Sequence, residues 1–554
     1  MNPKVPTLIG QVAQAEYPDS IYIVRKPESD VLLGDILKIT DRITGQEYLV
    51  RVYNAYHGLT SISERLASLA TKMPGIEAMI KPEYFYDIYV ACPLCIIEHD
   101  QSSGRVSAKP TKTLPTQLSS VYLPDPNDFG FIKELQGYDL PIGTLRARTT
   151  QGTENIEIGM KGEFVPRHVG VYAITGKGKT NFVMVLVLSM LREAGKYSVL
   201  IFDAHNEYYY GSGTYARRLE GLRKVEQVFQ GKLHYYDLKR KDALKISPVK
   251  LTPEDLRKIV DLTEAQYEAS LVYFDICRDR TDGNPWIFRV LSDADRLHQP
   301  VVDEEDKKAR KTLLPQGVGA ATVLALARKL RIMLSAGVLY EKREAPTHDL
   351  ITDVISKLDE GGVIILNTKD LSDFEESLVT SILSDRVLDE RRRTPPEELA
   401  RKPITLIVLE EALSVLSEEV LRRGTNIFAR IVREGRKFRI GLIPVVQIPR
   451  RLDPDIASQI NTCIILGTAQ QADRQAIAES AQQDLATLTN EMKMLDVGEA
   501  VVAFPAEVPF PLPVVIYHFN EYADRILRNS SKTQALTSHV KLSKVDENVA
   551  PPSL

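Results

Sequence analysis

The sequence predicts an α/β protein: a largely parallel sheet flanked by helices, preceded by a small β-barrel and interrupted by a helical insertion. Three observations carry this expectation. A strand, a glycine loop and a helix follow one another at residues 169–188. Buried apolar strands at 197–203 and 404–409 end in acidic residues. Several short strands with turn residues between them fill the first 125 residues. The expected organisation is therefore a barrel at 1–125, a core at 126–250 and 346–520, a helical insertion at 251–345, and a C-terminal arm or tail at 521–554.

Length and composition set the bounds. At 554 residues the chain exceeds one hydrophobic core, and about 150 residues per unit suggests three or four. A hydrophobic content of 44% with 26% charged residues is that of an ordinary globular protein. No apolar run reaches the roughly 18 residues of a membrane span, and Met-Asn-Pro-Lys-Val-Pro-Thr lacks a signal-peptide core, so no membrane association is expected. Four cysteines are too few for a disulfide framework, which fits a cytoplasmic protein. The net charge of −4 does not advertise nucleic-acid binding, yet screening over about 8 Å lets a local basic surface act independently of the total.

In the barrel, residues 17–25 and 35–40 read as strands, and Asp41-Arg-Ile-Thr-Gly45 turns the chain into a third at 47–53. Ser61-Ile-Ser-Glu64 is a capping box opening a short helix, and 84–97 returns to strand composition. Cys92 and Cys95 lack a second pair nearby and are expected as small core residues. Residues 102–116 read as a loop or barrel edge, and the chain from 125 to 159 as a connection.

Ala173-Ile-Thr-Gly-Lys-Gly-Lys179-Thr180 has the spacing of a phosphate-binding P-loop, with Ala173 where glycine is usual. Backbone N–H groups around Thr175, Gly176, Lys177, Gly178 and Asn181 would cradle phosphates. Lys179 would reach the β- and γ-phosphates of ATP, and Thr180 would hold Mg²⁺. The next strand ends in Asp203-Ala-His-Asn-Glu-Tyr208, where the acids are either ligands or caps. Thr252-Pro-Glu-Asp255 and Thr263-Glu-Ala-Gln266 start helices, and Val323, Leu326, Leu330 and Leu334 form an apolar stripe. The run 303–311 is expected as a solvated loop.

The strand at 404–409 leads into Glu410-Glu411. Hydrolysis of ATP needs one acid at Mg²⁺ and another that orients water; Glu410 is assigned to the metal and Glu411 to the water. Basic residues at 430–439, among them Arg433 and Arg436, would meet either nucleic-acid phosphates or a γ-phosphate held by a neighbouring subunit, or else form a solvated face. Gln447, ending the next strand, is placed to sense the γ-phosphate. Strands at 462–467, 498–504 and 513–518 would complete an extended sheet.

Together these motifs resemble the HerA family, in the FtsK-like branch of P-loop proteins. The resemblance rests on Arg167-His168, Ile174-Thr-Gly-Lys-Gly-Lys-Thr-Asn181, Asp203-Ala-His-Asn-Glu-Tyr208, Ile407-Val-Leu-Glu-Glu-Ala412, Arg433-Glu-Gly-Arg-Lys437 and Gln447-Ile-Pro449, in order over residues 5–520. Three positions depart from the family pattern: Asn206 stands for glycine, Leu413 for histidine and Glu410 for aspartate. The resemblance implies a RecA-like P-loop ATPase core, a homo-hexameric ring and ATP bound between subunits. Arg436 or Arg433, and Arg167, would act as arginine fingers from the neighbour. It also implies double-stranded DNA as the track, a NurA-like nuclease as partner, and a setting in DNA repair. Pore-facing candidates for DNA phosphates are Arg422-Arg423 and Lys239-Arg240-Lys241, which would otherwise be solvated turns.

Two other functions compete. A conjugation- or secretion-type pumping ATPase shares the ancestry, but usually carries a membrane anchor. An ATP-gated scaffold with little turnover would not need Lys179, Glu411 and Arg436 together.

Overall fold

The computed structural model describes residues 7–26, 28–58, 86–99, 105–132, 137–151, 156–213, 218–278, 285–299, 313–341, 348–422, 426–506 and 508–529. The helix expected after residue 61, the charged run 303–311 and the tail beyond 529 lie outside them. The chain divides into two compact units, Met1–Ser189 with Val445–Tyr522, and Met190–Pro444 with Ala523–Leu554.

The first unit begins with the barrel. Strands Leu8–Glu16, Ser20–Arg25, Ile36–Thr40, Glu47–Gly58, Tyr86–His99 and Ser120–Tyr122 pair antiparallel, and Ser20–Arg25 closes the ring against Tyr86–His99. Val106–Lys109 adds a further strand on its outside edge. Side chains alternate across each strand, so Val12, Ile21, Ile23, Leu37, Ile39, Val50, Val52 and Val121 meet inside as one core. The hairpin turn at 41–45 uses Gly45 at φ 71°. There the Asp41 carboxylate accepts N–H bonds from Ile43 (3.0 Å), Thr44 (2.7 Å) and Thr116 (2.6 Å). Burial alone would raise the Asp41 carboxyl, but these donors hold it well below the usual range.

Two expectations for this unit are corrected. Residues 17–25 are not one strand: the strand starts at Ser20, and a separate strand, Leu8–Glu16, precedes it. A register shift between Val12 and Gln14 breaks the alternation that would have revealed the earlier one. The connection expected up to residue 159 contains two strands, Leu140–Leu145 and Glu157–Met160. Cys95 is a core residue of the barrel, with burial pushing its thiol up to about 12, and Cys92 is half-buried.

Beyond the barrel, the sheet of the first unit runs from residues 445–446 through Val169–Ala173 to Thr462–Gly467, all parallel. Glu499–Ala503, Leu512–Ile516, Leu140–Leu145 and Glu157–Met160 then continue it antiparallel. Helix Lys179–Arg192 leaves the end of Val169–Ala173, with Phe182 to Leu188 wholly buried.

In the second unit, Leu233–Asp237, Val363–Asn367, Tyr197–Asp203, Ile404–Leu409 and residues 440–444 lie side by side and parallel. Strand Ile440–Val446 therefore contributes its first part to this unit and its last two residues to the other. The three inner strands are buried along their full length, as strands covered on both faces are. Leu233–Asp237 was not expected; an edge strand with four half-buried residues carries a weak pattern. Helices Pro253–Ile259, Glu264–Ile276, Trp286–His298 and Ala320–Leu334 occupy the region expected to be helical. Trp286 is wholly buried among them and donates to the Leu251 carbonyl at 2.8 Å. On Ala320–Leu334 the buried face is Val323, Leu326, Leu330 and Met333, with Leu334 at its margin. Among the described residues, no helix is long and apolar enough to cross a membrane.

Candidate functional site

In the first unit the chain leaves Val169–Ala173 and turns through Ile174 to Gly178 into helix Lys179–Arg192. Gly176 at φ 83° and Gly178 at φ 97° make the turn; both angles are in the left-handed region that favours glycine. A Cβ on Gly176 would meet nothing within 4 Å, so the glycine is required by backbone conformation and not by crowding. The loop is anchored from the neighbouring strand: Ile174 N–H donates to the Gly467 carbonyl at 3.1 Å. Its tip stays open, with Thr175 and Gly176 exposed and Lys179, Thr180 and Asn181 half-buried. Backbone donors at a helix N-terminus, a lysine and a threonine hydroxyl form a donor set that fits a triphosphate with Mg²⁺.

Two side chains of this loop are held from outside it. The Thr175 hydroxyl donates to Gln447 Oε1 at 3.2 Å, so Gln447, at the end of strand Ile440–Val446, is brought to the loop. Asn181 donates to the Tyr517 carbonyl and accepts the Phe519 N–H, each at 2.8 Å. The Lys177 ammonium does not turn into the phosphate cradle; it donates to the Leu495 carbonyl, leaving only its backbone for a nucleotide. Arg167 stacks its guanidinium over Phe164 at 4.7 Å, and its carbonyl accepts Asn461 N–H at 3.0 Å.

In the second unit the acidic strand ends behave differently from one another. Asp203 is fully buried and accepts N–H bonds from Glu207 (3.1 Å) and Tyr208 (2.9 Å), so it caps its own turn. Burial pushes its carboxyl up against the pull of those donors. Asn206 takes φ 58° in that turn, which explains how it stands where glycine is usual: asparagine tolerates the left-handed region.

Glu410 is 5% exposed, and Glu411, next in sequence, is exposed. One carboxylate is thus sheathed at the strand end and the other faces outward. Both line a cavity of about 350 Å³ with Asp373, Glu376, Ser377 and Ser414. Tyr208 is buried nearby; burial first, then the charges of Glu410 and Asp203, push its hydroxyl well above the ordinary value. Asp373 and Glu376 escaped sequence reasoning. They stand in the first turn of helix Asp373–Arg393, whose capping box, Ser372 with Glu375, was the available signal.

The basic stretch at 430–439 divides into two kinds of residue. Helix Ile427–Glu434 buries Ile427, Phe428, Ile431 and Val432, and Arg430 pairs with Asp385 at 3.6 Å. Arg433 and Arg436 are exposed and make no ion pair among the described residues. Three of the four described DNA candidates make ion pairs. Lys239 pairs with Glu375 at 3.4 Å, Arg240 with Asp242 at 3.1 Å, and Arg422 with Glu418, while Lys241 is exposed. Arg423 lies outside the described residues.

Among the described residues, one other cluster has metal-ligating chemistry. Glu47, His99 and Asp128 converge at the barrel, but Lys38 Nζ sits 3.1 Å from both carboxylates and supplies the cation. Burial lowers the Lys38 ammonium pKa, yet Asp128 and Glu47 outweigh it and raise the net value.

Comparison with known proteins agrees with this assembly of motifs. The family model for the central domain of helicase HerA matches residues 140–387. A DNA double-strand break repair helicase HerA of Sulfurisphaera tokodaii is 28% identical over 373 residues, covering 65% of this chain and 66% of that protein. The protein of the same description from Pyrococcus furiosus is 27% identical over 403 residues, covering 69% and 70%. The matched segments thus span about two thirds of those relatives' lengths. Among solved structures, VirB4 of Thermoanaerobacter pseudethanolicus aligns with a TM-score of 0.43 at 14% identity, over 69% of this chain and 97% of that one. The central-domain model of helicase HerA thus matches the segment that holds the P-loop, and over that segment the chain is similar to the HerA family.

Proposed function

We propose that this protein is an ATP hydrolase that drives translocation along, or unwinding of, double-stranded DNA. The observation that carries the reading is the glycine loop: two positive-φ glycines opening a buried helix, with an exposed tip and Gln447 bonded to Thr175. DNA as the track is supported by similarity to the relatives named above, which are described as DNA double-strand break repair helicases.

The roles proposed for individual residues are these. Backbone N–H groups from Thr175 to Asn181, with the Lys179 ammonium, bind and orient the phosphates. Thr180 and Glu410 are the residues that would hold Mg²⁺, which would offset negative charge on the phosphates. Glu411, the exposed member of the pair, orients the attacking water and accepts its proton. Gln447 reports the γ-phosphate through Thr175. Arg433 and Arg436, exposed and unpaired among the described residues, reach a neighbouring subunit's nucleotide, with Arg167 as a second candidate. This requires a ring, proposed as a homo-hexamer, and the nuclease partner proposed for it is NurA-like. A conjugation-type pump is not favoured by any specific observation, because the likeness to VirB4 concerns fold alone.

Displacement of a third strand from a triplex-bearing duplex tests the proposal. ATP, but not a non-hydrolysable analogue, should release the strand. Robust ATP hydrolysis with no displacement at any salt concentration would contradict translocation, and nucleotide binding with little hydrolysis and no displacement would leave the ATP-gated scaffold in its place.

A further inference from the structure

Within the first unit, a short helix, Thr489–Met494, meets the barrel, and Leu495 directly after it meets the phosphate loop. Toward the barrel it presents Glu491, 3% exposed, which accepts from Arg51 Nη2 at 2.7 Å and from Arg146. Arg51 stands on barrel strand Glu47–Gly58, is 0% exposed, and also donates to the Pro511 carbonyl at 3.0 Å. Arg146 spans from Glu491 to Glu499, the latter at 2.9 Å. On its other side the Met492 carbonyl accepts N–H of Thr468, just after strand Thr462–Gly467, at 3.2 Å, and the Leu495 carbonyl accepts the Lys177 ammonium of the loop.

We propose that Arg51 and Glu491 are positioning residues for the phosphate loop, acting through helix Thr489–Met494 and Lys177. The proposal rests on the nucleotide-binding reading above. A wholly buried arginine–glutamate pair is a poor source of stability, since desolvating two charges offsets most of their attraction. Such a pair does fix one geometry, because any shift leaves a buried charge unmatched. What it fixes here is the carbonyl to which Lys177 is tied. The loop needs that support: two glycines give it freedom that must be lost before it can close on phosphates. A tether that removes this freedom beforehand strengthens binding by pre-organisation. The barrel, through Arg51, is thereby part of the nucleotide site without touching it.

The test is a double-mutant cycle in the full-length protein, using Glu491→Gln, Lys177→Met and both together. The readouts are the dissociation constant of a fluorescent ADP analogue, KM and kcat for ATP, and the melting temperature. Each single variant should weaken nucleotide binding and raise KM by about 5–10-fold with kcat changed less than about twofold, and the double variant should be no weaker than Lys177→Met alone. If Glu491→Gln does not fold, Arg51→Lys, which keeps the charge but loses the fork reaching Pro511, takes its place in the cycle. Multiplying penalties in the double variant would overturn the proposal, as would a lowered melting temperature with unchanged nucleotide affinity. A wild-type protein that binds no nucleotide would instead bring down the ATPase reading, and this inference with it.

Discussion

The phosphate loop of the first unit and the acidic strand end of the second solve opposite problems. The loop is built from backbone: its working groups are N–H donors, and its shape depends on Gly176 and Gly178 at positive φ with a tip open to solvent. The strand end is built from side chains: Glu410 sheathed, Glu411 exposed, with Asp373 and Glu376 sharing their cavity. A backbone site binds by conformation, so losing its shape should cost affinity. A carboxylate site acts by charge at defined depths, so losing one charge should cost turnover and spare binding.

Several substitutions sharpen or break that contrast. Lys179→Ala should cost both properties, removing the main cationic partner of the phosphates; Glu411→Gln should lower turnover by about 100- to 1,000-fold while nucleotide remains bound. Rapid filtration with labelled ATP, alongside phosphate release, separates the two. Undiminished turnover in Glu411→Gln would remove the proposed role of the exposed carboxylate.

A smaller recovery is expected on mixing subunits. Arg436→Ala and Lys179→Ala proteins, each inactive alone, should regain part of the wild-type rate when co-assembled, since some interfaces then join an intact loop to an intact arginine. Verified mixed assemblies that stay inactive would mean Arg436 does not act across an interface.

Gly176→Ala probes the backbone side of the contrast. No atom lies within 4 Å of the added Cβ, so the whole effect is the left-handed conformation, about 1–2 kcal/mol, or roughly tenfold in nucleotide affinity. Unchanged affinity by calorimetry would mean the loop closes without that angle.

The smallest effect concerns Glu375, the capping-box partner of Ser372 at the start of helix Asp373–Arg393. Its carboxylate accepts Ser372 N–H at 2.9 Å and Gly337 N–H at 2.8 Å, and Lys239 pairs with it. Burial raises its pKa, but these partners outweigh burial and bring it down to about 2 from 4.5. A carboxyl depressed in the folded state stabilises above its unfolded pKa, and that contribution fades as pH falls from 4.5 toward about 2. Glu375→Gln should therefore cost about 1 kcal/mol at neutral pH, with the gap to wild type closing across that window. Parallel melting curves at pH 7 and pH 3 check it.

How much of this was legible in the sequence depended on whether the signal was local. Tyr197–Asp203, Ile404–Leu409 and Thr462–Gly467 declared themselves because inner parallel strands are apolar along their whole length. Leu233–Asp237 and Glu157–Met160 lie at sheet edges, and Leu140–Leu145 contains a proline and a glycine, so none showed a clear period. The P-loop was readable because its residues are contiguous. Lys177 reaching Leu495, 318 positions away, had no trace in the chain, and neither did Arg51 meeting Glu491. The basic run at 430–439 was readable as a run, but only packing separates Arg430, held by Asp385, from exposed Arg433 and Arg436.

The most direct measurement is phosphate release by the wild-type protein with and without long duplex DNA, across a range of salt. Duplexes of unrelated sequence should stimulate release about tenfold or more, with the effect lost steeply as salt rises because the grip is on phosphates. Hydrolysis indifferent to DNA at every salt concentration, or stimulated by one base sequence alone, would contradict ATP-driven translocation along DNA.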